Sequence, residues 1–226
     1  VEHVEGEILE LLAHRLHAHA AGERRENLHR LARDALALLG TERAERALGQ
    51  MSGQVKRMEN LLTDLLWLSR IESVREDRRM EPIDVAALLE ELREELASSF
   101  PDRAVVLDLK TRETVTGDYS ELRSAVSNLA INALKYSADT DPVELRWERN
   151  GDRLLLSVVD HGIGIEEQHL PRLTERFYRV DESRSASTGG TGLGLAIVKH
   201  VAAAHRAALR IDSAPGKGSC FALFFA

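Results

Sequence analysis

The sequence predicts an α+β fold in which a helical N-terminal segment, residues 1–80, precedes a mixed domain, residues 81–226. Residues 1–80 contain no proline and are dominated by Ala, Leu, Glu and Arg, which is the composition of helices. Pro82 breaks that pattern, and from there short apolar runs typical of strands alternate with helical periodicity. With 226 residues, of which 43% are apolar and only 4% aromatic, the chain can bury a core that contains few rings.

The N-terminal segment is predicted to form a hairpin of two helices, the first bent near Gly22 where its apolar stripe loses phase. Gly40 stops the first helix and Thr41 caps the second. The second helix carries apolar residues in steps of three and four: Leu48, Met51, Val55, Met58, Leu62 and Leu65. Two such helices cannot enclose a core alone, so we expect a homodimer that forms a four-helix bundle. Packing of the hairpin on the C-terminal domain is the alternative.

The C-terminal domain is predicted to place helices on one mixed sheet. Asp84 is positioned to cap a helix that runs to about Ser99, and further helices are expected at 119–136 and 197–204. Between and after them, the strand pattern falls at 104–109, 114–116, 143–148, 153–159, 209–212 and 220–225. Short strands separated by helices in this way are typical of an α+β layer.

Charge, cysteine content and hydropathy exclude several classes of protein. The chain has 30 Lys and Arg against 37 Asp and Glu, a formal charge of -7, which argues against a broad nucleic-acid-binding surface. A single cysteine, Cys220, excludes an internal disulfide and a cysteine-based zinc site. No apolar run approaches the roughly 20 residues of a membrane-spanning helix. We therefore expect the chain as given to be soluble, with any membrane attachment made by segments outside this sequence. The single cysteine suits a reducing compartment such as the cytoplasm.

Three glycine-rich stretches mark a candidate ligand site: HGIGI at 161–165, GGTGLGL at 189–195 and APGKG at 214–218. In the second stretch Gly190, Gly192 and Gly194 alternate directly before an apolar helical run. Bare backbone amides and a helix N-terminus placed in this way can hold a phosphate. The stretch lacks the GxxxxGK[ST] pattern of P-loops and the strand and acid of a dinucleotide-binding unit.

Polar side chains in apolar surroundings complete this candidate site. Asp160 ends an apolar strand, where its carboxylate can accept a hydrogen bond from an exocyclic amine such as adenine N6; an ordinary turn-forming Asp is the alternative. Asn128 and Asn132 lie four residues apart on one helix face, with Lys135 three residues further on. Two amide oxygens and an ammonium on one face suit Mg²⁺ that bridges phosphates. Solvated polar residues on an amphipathic helix are the alternative.

These motifs resemble those of sensor histidine kinases and occur in the order found in that family. LRSAVSNLAINALKYS resembles the asparagine box, VVDHGIGI the first glycine box, RFYRVD the phenylalanine box and GGTGLGLAIVKHV the second glycine box. The run LLTDLLWLSRIES also resembles the end of the family's dimerisation hairpin. The resemblance covers residues 81–226 and implies an α/β-sandwich ATP-binding domain of the kind shared with gyrase, HSP90 and MutL.

The resemblance also implies roles for individual residues. Asp160 would read adenine, and Asn128 and Asn132 would hold Mg²⁺ and the phosphates of ATP. The nucleotide pocket and a polar lid at 179–191 would then include Lys135, Tyr136, Gly162, Gly164, Arg184, Gly190, Thr191, Gly192, Leu193 and Gly194. Arg179 or Arg184 would reach the γ-phosphate, where a cation offsets transition-state charge, and a solvated arginine is the alternative for each.

Asn128 favours transfer to a protein side chain over hydrolysis. ATP-hydrolysing relatives such as gyrase carry a glutamate in this box to activate water, and an asparagine cannot act as that base. The resemblance therefore implies transfer of the γ-phosphoryl group to a histidine and then to an aspartate on a response-regulator receiver domain. His161 departs from the asparagine that the family usually has after the aspartate, and we expect this change to be tolerated.

The acceptor histidine is not identified by its neighbours. Five of the 9 histidines fall in the first 29 residues, yet none is followed by the acidic residue that is usual in the family. The usual hairpin length places the acceptor near residue 18, so His14, His17 and His19 are the candidates; a surface histidine is the alternative for each. Two other functions stay open: a degenerate kinase that acts as an ATP-binding dimeric scaffold, and a serine-directed kinase resembling anti-sigma factors.

Overall fold

The computed structural model describes residues 30–31, 41–72, 79–180 and 191–226. Several predicted features lie outside these residues: the bent first helix, the candidate acceptors His14, His17 and His19, and the lid residues Arg184 and Gly190. The hairpin and its homodimer therefore stay predictions.

Most of the described part of the N-terminal segment forms one long helix, α1 (Thr41–Glu72). It begins at Thr41, where the sequence places the cap, and it spans the predicted apolar stripe, so a long helix at this position is confirmed. Met58 and Leu62 on that stripe are 62% and 58% exposed. The chain divides into two structural units within this helix, between Lys56 and Arg57. Among the described helices, none has the length and apolarity that a membrane span requires.

The C-terminal domain has the α+β architecture that the sequence predicts. In chain order its elements are β1 (Glu81–Asp84), α2 (Val85–Ser99), β2 (Val105–Leu109), β3 (Thr114–Gly117), α3 (Tyr119–Tyr136), β4 (Val143–Asn150), β5 (Arg153–Asp160), a 3-10 helix (Glu167–Arg172), α4 (Gly194–Ala204), β6 (Ala208–Ser213) and β7 (Ser219–Phe225). A mixed five-stranded sheet has the order β2-β4-β5-β7-β6, in which β2 and β4 are parallel and the other neighbours antiparallel.

Side-chain caps define where two helices begin. The Ala87 N–H donates to Asp84 Oδ1 at 3.0 Å, so the predicted cap of α2 is confirmed. Asp118 does the same for α3, because its Oδ1 accepts the N–H groups of Ser120 and Glu121 at 3.0 and 3.1 Å. Each carboxylate satisfies backbone donors that would have no partner within the helix.

Strand β1 and the 3-10 helix were not predicted. Strand β1 pairs with β3 as a separate two-stranded sheet, in which Pro82 lies opposite Thr116. Proline is tolerated there because a strand of a two-stranded sheet has an edge that needs no backbone donor. The 3-10 helix contains Pro171 and buries none of its residues, so the sequence shows no apolar periodicity that would predict it.

The core lies between the helices and the five-stranded sheet. Leucines of α2, α3 and β5, together with the apolar face of α4, fill most of it. Trp147 on β4 is fully buried, and its Nε1 donates to the Glu113 carbonyl at 3.3 Å. Its ring meets the Phe225 ring edge-on, with the centroids 6.1 Å apart. Helices α3 and α4 also pack against each other, and this contact positions the candidate site.

Candidate nucleotide-binding site

The contact between α3 and α4 brings the asparagine pair next to the second glycine stretch. Asn128 is partly buried, and its Nδ2 donates to the Ser124 carbonyl at 2.9 Å. A Cβ placed on Gly194 would lie only 2.6 Å from Asn128 Oδ1. The missing side chain at Gly194 thus lets the start of α4 approach this oxygen. Asn132 lies one turn further along α3 and is also partly buried.

The start of α4 offers backbone amides to an anion. Within the described part of the chain, no side-chain hydrogen bond caps the helix at Leu193, a fully buried residue. The Leu193 N–H donates to Thr191 Oγ1 at 3.2 Å, which fixes the turn that leads into the helix. Uncapped N–H groups and the positive end of the helix dipole favour a phosphate at this position.

Asp160 lies at the end of β5 with only 4% of its surface exposed. The Gly162 N–H donates to Asp160 Oδ1 at 2.8 Å. Burial raises the pKa of Asp160 above its ordinary value, while hydrogen bonds from Gly162 and Ser219 act in the opposite direction. A buried carboxylate with a perturbed pKa, placed beside a glycine loop, is characteristic of a functional site.

The first glycine stretch packs closely against the C-terminal end of α3. A Cβ on Gly162 would collide with the Tyr136 carbonyl oxygen, and the Ile163 N–H donates to that oxygen at 3.2 Å. Gly164 has φ +66° and lies against the Ala214 carbonyl in the third glycine stretch. Side chains at these glycines would push the loop away from α3 and change the surroundings of Asp160.

The remaining predicted site residues that the structure describes lie near the contacts of α3 with Gly162 and Gly194. Lys135 and Tyr136 are exposed at the end of α3. The Phe177 N–H donates to the Gly192 carbonyl at 2.9 Å, which joins the phenylalanine box to the second glycine box. Phe177 itself has a positive φ of 62°, an uncommon conformation for an aromatic residue.

Ser219 belongs to the site but was not predicted. It lies opposite Asp160 in the pairing of β5 with β7, is buried, and acts to lower the pKa of the Asp160 carboxyl. The sequence does mark this position, because Ser219 follows the GKG turn at the start of the last strand. Its relation to Asp160 depends on strand register, which no local motif specifies.

The donor set at α3 fits magnesium better than a transition metal. The described residues contain no group of three or more His, Cys, Asp or Glu side chains that could hold a metal ion. The amide oxygens of Asn128 and Asn132 are hard ligands one helical turn apart. The bond from Asn128 Nδ2 to the Ser124 carbonyl leaves Asn128 Oδ1 on the side of the amide that faces Gly194. Mg²⁺ takes few protein ligands and keeps several waters.

Known proteins are similar to this chain over most of its length. Residues 117–226 match the family model described as histidine kinase-, DNA gyrase B-, and HSP90-like ATPase. The chain is 50% identical over 183 residues to the phosphate regulon sensor protein PhoR of Pseudomonas aeruginosa, covering 80% of this chain and 41% of that protein. It is 31% identical to the structure of the mycobacterial sensor histidine kinase MprB, with a TM-score of 0.57, over 65% of this chain and 96% of that one. The chain belongs to the sensor histidine kinase family.

Other histidine kinases extend the comparison. The sensor-like histidine kinase SenX3 of Mycobacterium tuberculosis is 38% identical over 172 residues, which cover 75% of this chain and 42% of that protein. The structure of the Acinetobacter baumannii histidine kinase AdeS shares the fold, with a TM-score of 0.64 at 21% identity over 92% of this chain. The chain spans 41% and 42% of the lengths of PhoR and SenX3.

The histidine kinase boxes occupy connected parts of the domain. The asparagine box is the body of α3, the first glycine box is the end of β5 and its loop, and the second glycine box is the start of α4. Through the contacts at Gly162 and Gly194, α3 meets both glycine boxes.

Proposed function

We propose that this chain is the catalytic part of a two-component sensor kinase and binds Mg-ATP along α3. The observation that carries the proposal is the arrangement of two contacts on that helix. Tyr136, at its end, meets the loop that holds the buried Asp160, and Asn128 meets the uncapped start of α4 at Gly194. The two α3 residues are eight positions apart, or about 12 Å along the helix. Adenine would lie at the Asp160 end and the phosphates at the Asn128 end.

Each end has the chemistry that its part of ATP requires. Asp160 would accept a hydrogen bond from the adenine amine. Asn128 and Asn132 would hold Mg²⁺, which would offset phosphate charge, and the α4 amides would receive phosphate oxygens. The walls and the lid would be completed by Lys135, Tyr136, Gly162, Gly164, Arg184, Gly190, Thr191, Gly192, Leu193 and Gly194.

The proposed reaction moves a phosphoryl group from ATP to an imidazole nitrogen. The bond between the γ-phosphorus and the bridging oxygen breaks, the phosphorus–nitrogen bond forms, and ADP leaves. His14, His17 and His19 are the candidate acceptors. A second transfer would place the phosphoryl group on an aspartate of a response-regulator receiver domain and restore the histidine.

Residues 1–80 would form the dimerisation and phosphotransfer hairpin, and residues 81–226 the catalytic domain. The exposure of Met58 and Leu62 supports a second copy as the partner of α1, since both belong to its apolar stripe. In the proposed dimer these side chains are covered at the helical seam. We place the chain on the cytoplasmic side of the cell, where ATP and the response regulator are found.

The decisive experiment is phosphorylation of the purified chain with γ-labelled Mg-ATP. We expect acid-labile, base-stable label that disappears when His14, His17 and His19 are all replaced by glutamine. A variant with only His29→Gln is the matched control and should label normally. Equal label in the triple variant would reject these acceptors.

Nucleotide binding measured on the same preparation distinguishes the alternatives. Tight ADP binding without label would identify a scaffold that has lost transfer. Acid-stable label on an added partner protein would identify a serine-directed kinase instead.

A further inference from the structure

The C-terminal turn of α3 is held by an arginine from outside the four boxes. Arg103 precedes β2, and its side chain is only 10% exposed. Its Nη1 donates to the Leu134 carbonyl at 2.6 Å, and its Nη2 donates to Ser137 Oγ at 2.6 Å. The Ser137 hydroxyl in turn donates to the Ala133 carbonyl at 2.7 Å. Arg103 thus satisfies the Leu134 carbonyl, one of those that the end of a helix leaves without an intrahelical partner. The Ser137 hydroxyl adds a second bond to the Ala133 carbonyl, which also accepts the Ser137 N–H at 3.1 Å.

The turn that Arg103 holds is the one that meets the adenine end of the proposed pocket. Tyr136 lies in it, and the Tyr136 carbonyl accepts the Ile163 N–H and leaves no room for a side chain on Gly162. The Gly162 N–H is itself bound to Asp160 Oδ1. A series of close contacts therefore runs from the guanidinium through the end of α3 to the carboxylate.

We propose that Arg103 is a positioning residue for adenine recognition, an inference that rests on the nucleotide-binding function proposed above. Arg103 sets where the last turn of α3 lies, the turn sets where the loop at 161–165 lies, and the loop orients Asp160. Small displacements of binding groups weaken recognition strongly, even when the change is made at a distance. Arg103 precedes residues 117–226, so the family model does not include it.

The backbone and hydroxyl bonds, rather than the ion pair, carry this role. Arg103 Nη1 also lies 3.0 Å from Asp139 Oδ1, but the Asp139 side chain is 88% exposed. An ion pair with so exposed a partner contributes little, because water screens it. Asp139→Asn is therefore a matched control that removes the charge pair and keeps the bonds to α3.

The test compares ADP affinity with amide hydrogen exchange in the full chain. In Arg103→Met we expect the ADP dissociation constant to rise about tenfold, because the loop no longer orients Asp160. The Ile163 amide should exchange faster, while amides in the centre of β7 exchange as in the wild type. Ser137→Ala, which removes one acceptor and keeps the arginine, should weaken ADP binding in the same direction, and Asp139→Asn should not.

Three results would overturn the inference. Unchanged ADP affinity in Arg103→Met is one, and weaker binding with equally faster exchange in β7 is another, since that pattern reports general loss of stability. A loss in Asp139→Asn as large as in Arg103→Met would assign the effect to the ion pair. If Asp160→Asn also binds ADP as tightly as the wild type, the proposed nucleotide-binding function itself fails. If Asp160→Asn loses ADP affinity and Arg103→Met does not, only the positioning role of Arg103 fails.

Discussion

Replacing Asp160 by asparagine tests the pocket at its buried carboxylate. The Gly162 N–H donates to Oδ1, so the asparagine oxygen would stay with that donor. The new NH₂ group would then face the adenine amine, and two donors would oppose each other. Losing a hydrogen bond to a charged group costs about 1.5–3 kcal/mol, and an unsatisfied donor costs about 1–3 kcal/mol more. We expect the ADP dissociation constant to rise by at least about 100-fold.

The same substitution should not destabilise the protein without nucleotide. Burial raises the pKa of Asp160 in the folded state above the ordinary 3.8. For an acid shifted in this direction, the contribution to stability is full below the unfolded pKa and is lost as pH rises through the folded pKa. At neutral pH the wild type therefore carries a cost of burying charge that the amide avoids. Asp160→Asn should be at least as stable at pH 7, and its advantage should shrink as pH falls toward 4.

Two measurements check this reasoning. Calorimetric titration with ADP gives the affinity, and thermal unfolding without nucleotide between pH 4 and pH 8 gives the difference in stability. An ADP affinity within about threefold of wild type would refute the assignment of Asp160 to adenine. A variant that is less stable at pH 7, by a margin that grows with pH, would refute the account of the buried charge.

Further substitutions probe the glycine contacts and the departure at His161. Gly162→Ala would drive a methyl group into the carbonyl at the end of α3, so both the melting temperature and ADP affinity should fall, with a stability loss of about 1–3 kcal/mol. Gly194→Ala places its methyl against Asn128 Oδ1, and titrations with and without Mg²⁺ should show a smaller gain in ADP affinity from the metal. His161→Asn removes a half-exposed ring that lies 3.2 Å from Glu144, so both the melting temperature and ADP affinity should stay close to wild type. A large loss in His161→Asn would place the ring in the pocket.

Elements whose ends are encoded locally were predictable from the sequence. Helix α3 runs from Tyr119 to Tyr136, as the pattern predicts, because Asp118 caps its start and its apolar face is continuous. The cap at Asp84 is equally local. The candidate pocket could be proposed from the sequence for the same reason, since Asp160, the asparagine pair and the glycines each stand at an element end or on a helix face.

Contacts between distant segments were not predictable, because they depend on how helices and strands pack and pair with one another after they have formed. Ser219 meets Asp160 only in the register that β7 adopts against β5. Arg103 reaches the Leu134 carbonyl from 31 residues away. Strand β1 forms although Pro82 argues against a strand, because β3 supplies a partner for it. In each case the local residues are compatible with several outcomes, and tertiary pairing selects one.

Asn128 links the geometry of the proposed pocket to its choice of reaction. A glutamate at this position could take a proton from an attacking water, whereas an amide cannot serve as that base. The Asn128 amide is also held in place, by its bond to the Ser124 carbonyl and by the backbone of Gly194 packed against its oxygen. In the proposed kinase the bound γ-phosphoryl group is therefore positioned without water being activated. Transfer then depends on a nucleophile delivered from elsewhere in the protein, which is why the acceptor can belong to a separate helical segment.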